Sequence, residues 1–118
     1  MTNPRELAQK KCQPCEGMGK PLDIDQVSVL MSNVPEWKTG ADGKSISRKL
    51  VMKNFTAAVE LIARIAEIAN AEDHHPDIHL TGYRNLVVEL KTHAIGGLSQ
   101  NDFIVAAKID QLPVELKK

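Results

Sequence analysis

Residues 54–76 read NFTAAVELIARIAEIANAEDHHP, and the way this stretch divides sets the architecture. Phe55, Val59, Ile62, Ala66 and Ala69 fall on one stripe at helical spacing, so the longest helix is expected from about Asn54 to Glu72. Leu61, Ile65 and Ile68 widen the apolar arc beyond the roughly 100° that one covering sheet requires. The surplus predicts a second covered side supplied by another copy of the chain, with Leu61, Ile65 and Ile68 in helix-to-helix contact. Pro76 ends the helix, because it has no N–H to donate and it biases His75 toward extended backbone. His74 therefore stays near the last helical turn while His75 does not, and the two imidazoles need not diverge by a helical step.

Downstream, Thr81-Gly82 signals a turn. Leu86, Val88 and Leu90 then alternate with Val87, Glu89 and Lys91, the pattern of a half-buried strand that delivers Thr92 and His93 at its end. Gly96-Gly97 makes a tight connection. Ser99 with Asp102 three residues later fits a capping box opening a last helix, whose apolar face starts with Phe103, Ala106 and Ala107 and which reaches about Gln111. Upstream, Val27, Leu30, Met31 and Val34 predict a helix over about Asp23 to Asn33, stopped by Pro35. Trp37 and the segment Ser45 to Met52 flank the turn signal Ala41-Asp42-Gly43-Lys44 and read as a hairpin.

This order implies an α+β fold, a small antiparallel sheet of about four strands with helices packed on one face, in a single domain. The domain is expected over residues 22–112, with a flexible leader at 1–21, broken by Pro4, Pro14, Gly17, Gly19 and Pro21, and a tail at 113–118.

The charges balance, 15 basic against 15 acidic residues in 118, and no run of one sign suggests a nucleic-acid groove or an anionic membrane surface. No apolar stretch approaches the ~18 residues that span a bilayer. The start of the chain lacks the apolar core of a secretory signal, and a cytoplasmic location is expected. Cys12 and Cys15 stand as a single Cys-x-x-Cys with no second pair to complete a zinc site, and the prolines and glycines around them break the strand and helix that a redox motif needs. They are read as an exposed, reduced pair.

Three of the four histidines, His74, His75 and His93, stand at element ends beside Asp102. Imidazole gives and takes protons near neutral pH, so this grouping points to acid–base chemistry. Two blander readings compete. His74 and His75 suit a helix C-terminus, where cationic groups complement the dipole. His75 and His79 have the spacing of helical metal ligands, but Pro76 denies them the helix, so no metal is expected; His79 is read as solvent-exposed.

Taken together, His74-His75-Pro76, Thr92-His93, Gly97-Leu98-Ser99 and Asp102, with Trp37 upstream and Phe55 opening the long helix, resemble the pterin-4a-carbinolamine dehydratase family over roughly Trp37 to Ile109. The resemblance implies a hydro-lyase that dehydrates 4a-hydroxytetrahydropterin to quinonoid dihydropterin in tetrahydropterin recycling, with no metal or organic cofactor. On this reading His74, His75, His93 and Asp102 are catalytic. His74 and His93 transfer protons and His75 mainly orients substrate, while Asp102 orients an imidazole or favours its charged form. The three histidines, Trp37, Pro76, Thr92, Ala94 and Ile95 line the pterin pocket. Two features depart from the family pattern: the stretch from His75 to His93 is about one residue longer, and Asn70 stands where some members carry an acidic residue. The expected partners are a small pterin and further copies of the chain, as a homodimer or homotetramer, with no direct nucleic-acid contact and no membrane. The alternative is a non-catalytic pterin-binding or protein-dimerisation module of the same fold, and a third reading is a pterin-binding protein acting on a molybdopterin-like molecule.

Overall fold

In the computed structural model, strands Lys38–Thr39 (β1), Ile46–Val51 (β2), Asp77–Thr81 (β3) and Asn85–Leu90 (β4) form one antiparallel sheet in the order β1-β2-β4-β3. The structure describes residues 3–12 and 20–117. Helices span Pro4–Gln9 (α1), Ile24–Met31 (α2), Phe55–Glu72 (α3) and Gln100–Asp110 (α4), with a 3-10 turn at His93–Ile95. The α+β reading with helices on one face of the sheet is what the chain adopts. None of the helices described is long and apolar enough to cross a membrane.

Strand alternation determines the covered face. Ile46 pairs with Leu90 and Leu50 with Leu86, so these four and Val88 present one buried surface, while the intervening Lys49 and Asn85 are exposed. One or two strands were expected between the long helix and the last helix, and β3 makes the number two. It is a strand because Ile78 and Leu80 alternate with polar residues and pair with Val88 and Leu86.

α4 is the centre of the core. Residues 101–107 and Ile109 are all buried, and a helix buried all round must be covered on several sides. α3 packs along one side of it and α1 along another. The stretch read as a flexible leader thus contributes to the core: Leu7 is wholly buried, Asn3 caps α1 by accepting the Glu6 N–H at 2.8 Å, and Pro4 sits in the first turn, where its missing N–H costs nothing. Six residues with one deeply buried leucine carry too little periodicity to signal a helix. The expected tail also has a place, since Lys53 N–H bonds Glu115 O and Lys117 N–H bonds Val51 O, both at 2.8 Å.

One expectation about α3 is reversed. Asn54 caps the helix on Ala57 N–H at 2.8 Å, and the inward face is Ala57, Ala58, Leu61, Ile65 and Ala69. Phe55 and Val59 are instead 54% and 45% exposed, and Ala66 is exposed as well. Leu61 and Ile65 therefore lie within the core of one chain and are not available for helix-to-helix contact with another. Both stripes have helical spacing; the one carrying alanines at 57, 58 and 69 lies inward because small side chains let the helix backbone approach its neighbours and leave room for Leu61 and Ile65 to interdigitate.

Candidate active site

Three local features bring the site together. α3 ends at Asp73, which adopts the left-handed conformation (φ 52°) that aspartate tolerates better than most residues, and the His74 N–H turns back to Ala69 O at 3.1 Å. The β3–β4 register pairs Asp77 with Glu89, and continuing it past the strand ends brings residue 74 level with residue 92. α4 opens at Ser99, whose backbone N–H is accepted at 3.0 Å by the side chain of Asp102, one half of the expected capping box. The helix that fills the core thus begins beside the two strand ends.

A buried hydrogen-bonded chain results. His74 Nε2 lies 2.7 Å from Asp102 Oδ1, with His74 6% exposed and Asp102 wholly buried. Asp102 Oδ2 accepts from Thr92 Oγ1 at 2.8 Å and from Ser99 N. Ser99 Oγ and Thr92 Oγ1 are 2.7 Å apart, and since the Thr92 hydroxyl donates to the carboxylate, Ser99 donates to Thr92. A carboxylate is an acceptor, so His74 must carry its hydrogen on Nε2. That leaves Nδ1 as the working nitrogen. Among the described residues no fully buried side-chain nitrogen or oxygen lacks a partner, so the unpartnered Nδ1 lies on the small part of His74 that remains accessible.

The remaining expected site residues divide. His75 is exposed, and its Nε2 lies 3.1 Å from Asn70 Oδ1. His93 is exposed at the start of the 3-10 turn, followed by exposed Ala94 and half-buried Ile95, while Pro76 is half-buried. Thr92 is buried and its hydroxyl is spent on Asp102, so it holds the carboxylate and does not offer that group to a ligand. Trp37 is not brought to this cluster. It is 2% exposed, and its indole N–H donates at 2.8 Å to Asp110, which also receives Arg48 at 2.7 Å. Asp110 is eight residues beyond Asp102 on α4, about 12 Å along the helix. Burial pushes the Asp110 carboxyl above its ordinary range against the lowering effect of Trp37 and Arg48. His79 is exposed on β3, as expected. Sequence reasoning gives Ser99 and Asn70 no part in the site's hydrogen bonding: Ser99 reads as a cap and as part of the Gly97-Leu98-Ser99 motif, and Asn70 as a departure from the family pattern.

A second set of contacts ties the N-terminal segment to the same elements. Cys12 N–H donates to Glu72 Oε1 at 2.8 Å, and Cys12 Sγ lies 3.7 Å from Asn101 O. Glu72 is the last residue of α3 and also faces Lys108 Nζ at 3.7 Å. Burial pulls the Glu72 carboxyl upward, but the Cys12 N–H with Lys108 and Lys11 outweighs it and holds the group below its ordinary value. Burial, then the neighbouring Glu72, pushes the Cys12 thiol up to about 12. Cys12 is thus half-buried rather than exposed, while Cys15 lies outside the described residues. Among the described residues no group of three or more His, Cys, Asp and Glu is arranged to hold a metal ion.

A family model described as "Pterin 4 alpha carbinolamine dehydratase" matches residues 20–112, which contain every site residue named above except Cys12. The chain belongs to that family. Among similar members of the pterin carbinolamine dehydratases, a Halorhodospira halophila protein named "Putative pterin-4-alpha-carbinolamine dehydratase" is 45% identical over 106 residues, covering 90% of this chain and 96% of its own. The protein named pterin-4-alpha-carbinolamine dehydratase 2, mitochondrial, from Arabidopsis thaliana is 41% identical over 113 residues, 93% of this chain and 60% of the relative. Among solved structures, a transcriptional coactivator/pterin dehydratase from Brucella melitensis superposes with a TM-score of 0.72 at 25% identity, over 77% of this chain and 96% of that one. The dehydratase family expected from His74-His75-Pro76, Thr92-His93 and Asp102, and the α+β fold expected from the order of elements, are therefore both met.

Proposed function

We propose that this chain is a hydro-lyase that converts 4a-hydroxytetrahydropterin to quinonoid dihydropterin in tetrahydropterin recycling. In this elimination the C4a hydroxyl leaves as water after gaining a proton, N5 loses its proton, and the N5–C4a bond becomes double. The observation that carries the reading is the buried pair His74–Asp102 at 2.7 Å, which fixes one imidazole with Nδ1 facing outward beside the Thr92-His93 strand end. With a second proton on Nδ1, His74 protonates the leaving hydroxyl through that nitrogen, and Asp102 balances the charge on the ring while it carries both protons. His93, exposed at the end of the strand, accepts the N5 proton. His75 orients the substrate, and Pro76, Ala94 and Ile95 form the apolar rim around it. Positioned acid–base groups supply about 10²–10⁴-fold, enough for a carbinolamine that already loses water unaided. The test is stopped-flow ultraviolet decay of 4a-hydroxytetrahydropterin with and without the protein; decay no faster than in buffer refutes the proposal.

We also propose that the chain self-associates through α3. Phe55, Val59 and Ala66 are exposed and, with Ile62 half-buried against the core between them, form a seam at coiled-coil spacing, and Thr56 and Ala63 beside it put no charge against close approach. A two-fold antiparallel pairing would set Phe55 against Ala66 and Val59 against Ile62, large against small.

A further inference from the structure

We infer that Gly97 and Pro21 are positioning residues for the His93 imidazole: the Pro21-Leu22 segment lies as a belt across Gly97 and fixes the loop that carries His93. This rests on the pterin dehydratase reading, in which His93 takes the N5 proton. The loop is short and closed on itself. Thr92 N–H bonds Gly97 O at 3.0 Å and Gly97 N–H returns to Thr92 O at 3.4 Å. Between them the N–H groups of Ile95 and Gly96 turn back on Thr92 O and His93 O at 3.3 and 3.1 Å. Gly96 takes the left-handed conformation (φ 66°) that completes the turn. His93 is exposed on this loop, so its place is set by the backbone that bears it.

The loop is held from outside by the chain ahead of α2. Leu22 N–H donates to Leu98 O at 2.8 Å, and a Cβ at Gly97 would stand 2.8 Å from Pro21 Cβ and 3.1 Å from Pro21 Cγ. Gly97 is thus glycine for lack of space, whereas Gly96 is glycine for its backbone angle. The belt cannot retreat cheaply. Leu22 packs against the core, Asp23 caps α2 in a capping box with Gln26, and the proline ring is rigid. Carbon atoms in contact settle at about 3.5 Å or more, so a methyl group at Gly97 must displace its surroundings by about 0.7 Å. With the belt anchored, the loop gives way and His93 moves with it. A misplacement of about 1 Å can cost about 10²-fold in rate.

Turnover, NMR and amide exchange test this together. Gly97→Ala should lower kcat for 4a-hydroxytetrahydropterin about tenfold and leave KM within about twofold. Pro21→Gly takes away the ring but keeps the Leu22 bond, and adding it to Gly97→Ala should return kcat to within about threefold of normal. The His93 ring signal, assigned against a His93→Asn reference, should shift in Gly97→Ala and return in the paired variant, while the His74 signal stays in place. Normal turnover in a folded Gly97→Ala protein, or a loss that Pro21→Gly leaves unrelieved, overturns the inference. So does a moved His74 signal with that of His93 unmoved. Pro21→Gly alone gives a reading that needs neither a Gly97 variant nor a substrate. Its Ile95 and Gly97 amides should exchange about tenfold faster, with those in the middle of α4 unchanged, and unaltered exchange overturns the belt. Faster exchange in a protein whose unmodified form has no turnover locates the error in the pterin reading instead.

Discussion

Replacing Asp102 by Asn tests the buried network most sharply, because it exchanges one acceptor atom for a donor at almost constant volume. Two hydrogens, from Thr92 Oγ1 and Ser99 N, point at Oδ2, and one, from His74 Nε2, points at Oδ1. The amide keeps its oxygen where two donors converge and turns its NH₂ toward His74. His74 can then pair only by moving its hydrogen to Nδ1 and accepting on Nε2, which holds the ring in a neutral form without the second proton that the leaving hydroxyl needs. The fold should survive: the two donors on the oxygen and His74 Nε2 all keep a partner, and only the second amide N–H is left without an acceptor, at a cost of about 1–3 kcal/mol. For a chain of this length that is a fall in Tm of roughly 4–12 °C. Turnover should fall much further, by about 10²–10⁴-fold; the same tautomer exchange in a serine-protease triad costs about 10⁴-fold. Stopped-flow decay of 4a-hydroxytetrahydropterin gives the rate, thermal melting gives the stability, and long-range ¹H–¹⁵N spectra give the tautomer. A folded Asp102→Asn protein with His74 carrying Nδ1–H and turnover within about threefold of normal would refute the reasoning, since the tautomer would then have no bearing on the reaction.

His74→Ala and His93→Ala should each lower kcat by about 10²-fold or more without changing far-ultraviolet circular dichroism, and near-normal turnover in both would make the histidines structural. Because Glu72 ionises below its ordinary value in the native protein, the unfolded chain binds that proton first as pH falls. Its stabilisation is complete above about pH 4.5 and is lost as pH drops through the native value. Glu72→Gln should flatten the stability profile over that acid window, and an unchanged slope in denaturant titrations refutes the assignment. Val59→Glu should split the assembly in sedimentation, whereas Ile65→Glu, inside the core, should unfold the chain; an unmodified protein that sediments as a single chain at micromolar concentration refutes self-association through α3. With its pKa near 12, Cys12 in a Cys15→Ser background should react with iodoacetamide at pH 8 about 10³-fold more slowly than free cysteine, and rapid labelling would contradict its burial.

The elements legible in the sequence are those whose burial follows a period. Leu86, Val88 and Leu90 announced β4, and the capping pair Ser99 and Asp102 marked the start of α4 within a residue. α3 was legible in extent but not in orientation, since its two apolar stripes have equal periodicity and only the packing partner distinguishes them. α1 hides behind Pro4 and a six-residue length. In the site, His74 with Asp102 was readable because both lie at element ends on a motif. Trp37 was not, because an aromatic side chain carries the same signal whether it covers a ligand or, as here, fills the core against Asp110. Asn70 was marked only as a departure from the family pattern, and its contact with His75 has no signature until the backbone turns left-handed between them.

The sequence separations of these contacts carry a consequence for how the molecule assembles itself in time. The buried chain from His74 to Asp102 closes over 28 residues, and Thr92 to Asp102 over only 10. The N-terminal contacts of Cys12 reach across 60 and 89 residues to Glu72 and Asn101. Short loops close sooner and at lower entropic cost than long ones. The acid–base pair is thus built into an early-forming unit made of the end of α3, the β3–β4 hairpin and the start of α4. The N-terminal segment docks onto it last. In hydrogen exchange α1 should accordingly open well before the amides around Asp102 do.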